Sequence, residues 1–141
     1  TLVRQEAKKL AESRQLEWLI TDGPPGVGCP VIASVGGAAA LLVVTEPTVS
    51  GLHDMRRVLD LADHFNVFSM VCVNKFDLNL EQTEAVEQLA KKRNIPMIGK
   101  VPFDHRFTES MVQGKTIIEY DQGCDLSSTV KQLWDNVRKI I

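Results

Sequence analysis

The chain has 141 residues, of which 44% are hydrophobic and 24% charged, a balance that suits an ordinary globular protein with one core. A formal net charge of −2 gives no basic field for gripping nucleic acid or an anionic membrane, and no stretch approaches the roughly 18 consecutive apolar residues of a membrane span. Three cysteines, Cys29, Cys72 and Cys124, lie far apart without a C-x-x-C pair, which excludes a legible disulfide framework or four-thiolate metal site and points to a reducing, cytoplasmic setting.

The chain opens on Thr1 and runs directly into a helical pattern, as a piece beginning mid-domain would. Leu2, Ala7 and Leu10 set a first helix through about Ser13, and residues 16–21 read as a short apolar strand. The loop that follows, Asp22-Gly-Pro-Pro-Gly-Val-Gly28, excludes helix and central strand, because its prolines remove donors and its glycines permit unusual dihedrals. A short helix is expected over residues 30–36.

Residues 39–45 form an unbroken apolar run that suits a strand covered on both faces, with residues 68–73 as its parallel neighbour. Between them Leu52, Met55, Val58, Leu59 and Ala62 recur at helical spacing, which makes a strand, helix, strand crossover. The same grammar continues with a helix over residues 81–93 and a strand over residues 96–101. A short helix over residues 105–113 closes at Gly114, and residues 126–140 form an amphipathic last helix carrying Val130, Leu133, Trp134 and Val137. Such alternation predicts an α/β fold, a parallel sheet with helices on both faces. Chemistry is then expected outside the carboxyl ends of the strands, in the loops after Thr21, Thr45, Val73 and Val101.

Two of those loops carry suggestive residues. Asp22, at the end of an apolar run, stands where a nucleotide-hydrolysing fold places an acid facing Mg²⁺, and the glycines behind it let backbone amides approach an anion. The other reading is a helix cap followed by a tight turn. Asn74-Lys75-Phe76-Asp77 supplies an amide beside a carboxylate, groups able to read a purine edge, although an exposed turn would also use Asn and Asp.

Together the stretches DGPPGVGCPVIAS, VVTEPTVSGLHDMRRVLDLADHF, VCVNKFDLN and GKVPFD resemble the MinD and Mrp group of deviant P-loop ATPases, with the nearest likeness to MinD-superfamily ATPases that carry an inserted ferredoxin domain. The similarity runs over nearly the whole chain, so that residues 1–141 correspond to the C-terminal part of a single nucleotide-binding domain of P-loop type, incomplete because the phosphate-loop unit is missing. The resemblance implies an ATP-binding and hydrolysing switch, working with Mg²⁺ as a homodimer and coupled to a redox or metallocluster partner, with neither nucleic acid nor integral membrane contact. Carried over by motif, Asp22 would hold Mg²⁺ and serve catalysis, and Gly23, Pro24, Pro25 and Gly26 would belong to the loop sensing the terminal phosphate. Asn74 would bond the adenine, with Lys75 and Asp77 beside it, and the turn Pro102-Phe103-Asp104 would line the base pocket. Residues 45–53 would lie near the dimer-facing edge.

Two departures limit that carry-over. The family's glycine-and-lysine phosphate loop does not occur; Gly114-Lys115-Thr116 is a decoy, since Glu109 stands where the first glycine of the pattern belongs. No four-cysteine cluster occurs either, which would leave iron–sulfur clusters to an upstream domain. Without phosphate-holding amides and lysines this stretch alone should hydrolyse nothing appreciable.

Two other functions fit parts of the sequence. Asn74-Lys75-x-Asp77 also matches the guanine-reading motif of GTPases, and the fold could serve as a non-catalytic scaffold or partitioning module. A hydride-transferring dinucleotide enzyme fits poorly, because Val31 stands where the third glycine after Gly26 and Gly28 is needed. Of the remaining residues, Cys29 reads as a small buried thiol against a short helix and Cys72 as core. His53, His64 and His105 share no metal spacing, and Trp18 and Trp134 read as packing residues.

Overall fold

The computed structural model describes residues 2–24, 26 and 28–141. Along the chain the elements are α1 (Leu2–Ser13), α2 (Cys29–Val35), β1 (Ala40–Thr45), α3 (Val49–His64), β2 (Phe68–Asn74), a 3₁₀ turn (Phe76–Leu78), α4 (Leu80–Lys92), β3 (Met97–Val101), α5 (His105–Val112), α6 (Ile117–Tyr120) and α7 (Asp125–Ile140).

The strands form one parallel sheet in the order β1-β2-β3, with Ala40 opposite Phe68 at one end and Asn74 opposite Val101 at the other. Parallel neighbours need crossover connections, which α3 and α4 supply. Alternation along β2 decides which helix meets which face. Val71 and Val73, with Val43 of β1, pack on Met55 and Leu59 of α3 and Val86 and Ala90 of α4. Met70 and Cys72 point the other way, onto Ile98 of β3 and Val137 of α7. The α/β architecture with helices on both faces is therefore observed. Leu59 is fully buried, a burial worth about 2 kcal/mol relative to exposure. A smaller core joins Val31 and Val35 of α2 to Ala62 and Val67.

Local chemistry sets the helix starts. Thr48 accepts from the Gly51 amide at 2.9 Å, Asn79 from Gln82 at 3.0 Å, and Asp104 from Arg106 at 2.8 Å. Thr116 and Glu119 satisfy each other's backbone in a capping box, which assigns the Gly114-Lys115-Thr116 stretch to a helix start and not to a phosphate cradle. The turn Phe76–Leu78 and helix α6 are additions to the expected elements; both are too short for periodicity to reveal.

Two expectations need correction. Residues 16–21 form no strand: a strand exists only through pairing, and β1 has β2 as its one described partner. Leu16, Leu19 and Ile20 instead stand exposed, and the Trp18 ring meets the edge of Trp134 on α7 with centroids 5.0 Å apart. Both tryptophans therefore pack on each other at the surface. Cys29 is exposed, because it begins α2 while Val31 and Val35 take that helix's buried side.

Candidate functional site

The loops after β1, β2 and β3 come together at the carboxyl rim of the sheet, held by side-chain links beyond the end of the ladder. Lys75 follows β2 with φ 55° and ψ 40°, a left-handed conformation that turns its side chain back across the rim. Its ammonium meets Glu46, in the loop after β1, at 2.6 Å. Two residues on, Asp77 accepts a hydrogen bond at 2.7 Å from the backbone N–H of Phe103, in the turn after β3. A carboxylate acceptor makes this a charge-assisted bond.

Each loop is also anchored from behind. The Thr83 hydroxyl of α4 donates to the Phe76 carbonyl at 2.7 Å, and the Leu78 amide donates to the Lys75 carbonyl at 3.1 Å, which fixes the turn that carries Asp77. On the β3 side, Asp104 caps α5 and holds the Arg106 guanidinium at 2.8 Å, while Arg106 reaches Asp125 of α7 at 3.0 Å. The Arg106 side chain and then its backbone amide hold the Asp104 carboxyl down to about 2. Pro102 is half-buried in the same turn; the Phe103 ring is exposed and lies edge-on to His105 with centroids 5.2 Å apart. On the β1 side the backbone returns so closely that a Cβ on Gly51 would collide with the Glu46 carbonyl and lie 3.0 Å from the Thr45 and Thr48 hydroxyls. Only glycine fits there without displacing the loop.

Asn74 closes β2, half-buried, and its carboxamide engages in no described hydrogen bond. It shares the α7-facing side of β2 with Cys72, at the wall of an apolar groove of about 280 Å³ lined also by Leu42, Val44, Val101 and Trp134. Leu42 and Val44 are 40% and 59% exposed, so this face of β1 is open where the opposite face is packed.

Of the residues singled out in the sequence, the structure thus brings Lys75, Asp77, Phe103 and Asp104 into one bonded arrangement, with Asn74 and Pro102 in the same loops. Asp22, Gly23, Pro24 and Gly26 are exposed, and no described hydrogen bond or ion pair joins them to that rim; Pro25 lies outside the described residues. His53 is exposed on α3, 3.5 Å from Asp54. Sequence reading missed the Glu46–Lys75 link and the clamp by Arg106 and Asp125. The Asp104-x-Arg106 spacing could have suggested the local half of that clamp, whereas the long-range halves have no sequence signal.

Among the described residues no group of three or more His, Cys, Asp or Glu is placed to hold a metal ion. An iron–sulfur cluster is therefore not fitted by the described residues. Mg²⁺ asks for less: it binds through one or two carboxylates plus phosphate oxygens and waters, a demand to which the unengaged Asp22 carboxylate can contribute one oxygen ligand. Among the described residues no helix is long and apolar enough to cross a membrane.

Residues 3–138 match a family model described as ParA, the NUBPL iron-transfer P-loop NTPases. An uncharacterised protein of Methanocaldococcus jannaschii is 29% identical over 139 residues, 97% of this chain and 45% of the relative. The cytosolic Fe-S cluster assembly factor NUBP2 of Mus musculus is 27% identical over 120 residues, 74% of this chain and 44% of that protein. Among solved structures, the cell division ATPase MinD of Pyrococcus furiosus superposes with a TM-score of 0.81 at 18% identity, covering 96% of this chain and 57% of MinD. MinD of Aquifex aeolicus gives 0.73 at 22%, covering 94% and 56%. This chain therefore spans less than half the length of the curated relatives it matches.

Proposed function

Since this chain belongs to the ParA-type family of P-loop NTPases that includes the NUBPL iron-transfer proteins, we propose that it forms the base-binding side of an ATP-driven switch. The observation that carries this reading is the carboxyl rim itself. Asn74 offers a carboxamide with no described hydrogen bond at the end of β2, the turn after β3 carries an exposed Phe103, and the loops there are tied by the Lys75–Glu46 and Asp77–Phe103 links. A carboxamide presents a donor next to an acceptor, the pattern complementary to the amino group and ring nitrogen on an adenine edge. An aromatic ring at the same rim supplies a stacking surface.

On this reading Asp22 provides an oxygen toward Mg²⁺ and Gly23, Pro24 and Gly26 supply backbone near the terminal phosphate. Mg²⁺ would supply charge neutralisation on the phosphate oxygens. This chain contains no glycine-and-lysine phosphate loop, so those amides would come from elsewhere in the intact protein. The names of the relatives, an iron-transfer NTPase and a cytosolic Fe-S cluster assembly factor, support an iron–sulfur task for the switch; that it works as a cytoplasmic homodimer with a redox or metallocluster partner rests on the motif resemblance alone.

The test is phosphate release by the full-length gene product with Mg²⁺-ATP. Hydrolysis should be slow but measurable, and Asp22→Asn should lower kcat by at least about tenfold through loss of the metal-facing charge. A wild-type protein that binds no nucleoside triphosphate would remove the proposal in favour of a non-catalytic scaffold.

A further inference from the structure

We infer that Trp134 on α7 is a positioning residue for the Asp22 loop: it seats Trp18, and with it the segment that leads into that loop, beside the carboxyl ends of β2 and β3. The inference rests on the nucleotide reading above and deepens it, since it names what holds the metal-facing acid in place.

Residues 17–22 have no sheet ladder to hold them. None of them enters a described hydrogen bond, and Leu19 and Ile20 are exposed. The last described backbone bond before Asp22 runs from the Leu16 amide to the Ala11 carbonyl at 2.9 Å. Between that bond and Asp22 the Trp18 ring meets the Trp134 ring edge-on, with 5.0 Å between centroids and 65° between planes. Aromatic pairs favour this geometry, which sets the positive edge of one ring against the negative face of the other.

Trp134 stands where α7 is fastened most firmly to the sheet. One residue earlier, Leu133 packs so closely on β3 that a Cβ on Gly99 would collide with it, and Gly99 holds φ at 151°. Two residues later, the Asn136 carboxamide donates to the Ile98 carbonyl at 2.8 Å. Val137 lies in the core with Met70, Cys72 and Ile98. Trp134 itself shares the wall of the apolar groove with Asn74 and Val101, which end β2 and β3.

A chain extends by at most about 3.6 Å per residue, so Asp22, which follows Trp18 by four residues, stays within about 14 Å of it. With Trp18 released, the nearest described anchor is the Leu16 amide, and the reach grows to about 22 Å. A carboxylate that meets Mg²⁺ at about 2 Å gains from the shorter tether.

The test uses the full-length gene product with Trp134→Phe, Trp134→Ala and Trp18→Ala, each also made together with Asp22→Asn. Two tryptophans in edge contact give an exciton couplet in far-ultraviolet circular dichroism. In nucleotide-free protein all three substitutions should remove it equally. With Mg²⁺-ATP, Trp134→Ala should lower kcat about 2- to 12-fold, as loss of one aromatic pair does, and raise the Mg²⁺ concentration needed for half the maximal rate. The KM for ATP should not change. Trp18→Ala should match it, whereas Trp134→Phe, which keeps a ring for Trp18 to meet, should retain most of the wild-type rate. With Asp22→Asn in place, removing Trp134 should hardly lower the rate further, because the charge it positions is already gone.

Wild type without a couplet would overturn the inference. So would a full kcat in Trp134→Ala, or a loss undiminished by Asp22→Asn, either of which would make Trp134 an ordinary packing residue. Should Trp134→Ala fail to fold, Trp18→Ala decides in its place, since Trp18 belongs to no helix or strand. Wild type that shows the couplet yet hydrolyses no nucleotide would bring down the nucleotide reading and this role with it; hydrolysis unaffected by both alanine variants would bring down this role alone.

Discussion

Asn74→Ala separates recognition from stability at one position. Asn74 pairs with Val101 through the backbone, and its carboxamide makes no described bond within the chain, so truncation removes nothing the fold uses. Stability should stay within about 0.5 kcal/mol of wild type. If the carboxamide donates one hydrogen bond to adenine and accepts another, each worth about 0.5–1.5 kcal/mol net, the variant should lose about 1–3 kcal/mol of binding. That is about 5- to 150-fold in Kd. Calorimetric titration of the full-length protein with a non-hydrolysable ATP analogue and Mg²⁺ gives the number directly. A matched purine nucleotide lacking the 6-amino group completes the cycle: wild type should bind it more weakly than the ATP analogue, and Asn74→Ala should hardly distinguish the two. Equal affinity of wild type and variant for the adenine nucleotide, with the melting temperature retained, would refute the assignment.

Other perturbations test the frame around that residue. Gly51→Ala should cost about 1–3 kcal/mol, because the added methyl meets the Glu46 carbonyl; an unchanged denaturation midpoint would contradict the tight return after β1. The Asp104 carboxyl should titrate with a midpoint of about 2 by NMR, and Arg106→Ala should bring it back toward the ordinary value near 3.8. Because its folded value is depressed, the stability it contributes is present above pH 3.8 and is lost as pH falls through about 2; a wild-type midpoint near 3.8 would exclude the clamp. Among the three thiols, Cys29 should react with a thiol reagent in the native state. Cys72, pushed up to about 11 by burial, and the buried Cys124 should react only after unfolding, so fast labelling at more than one position would contradict the packing.

What the amino-acid order determined by itself is the alternation of elements and the place to look for chemistry. Apolar runs such as residues 39–45 and 68–73 fall short of helix length, and Met55, Leu59 and Ala62 repeat at the spacing of one helix face. Those are local periodicities, and the sheet and its flanking helices followed from them. Tertiary structure decided everything that depends on a partner distant in sequence. Residues 16–21 have a strand's composition yet pair with no strand among the described residues, and Trp18 packs on Trp134 instead. Asn74-Lys75-Phe76-Asp77 was legible as a strand-end turn rich in polar groups, but the bond that Asp77 accepts from Phe103, 26 residues away, was not. A hydrogen bond between loops is a fact of distance and angle in space, and no pattern along the chain encodes it until the strands beneath those loops have been laid side by side.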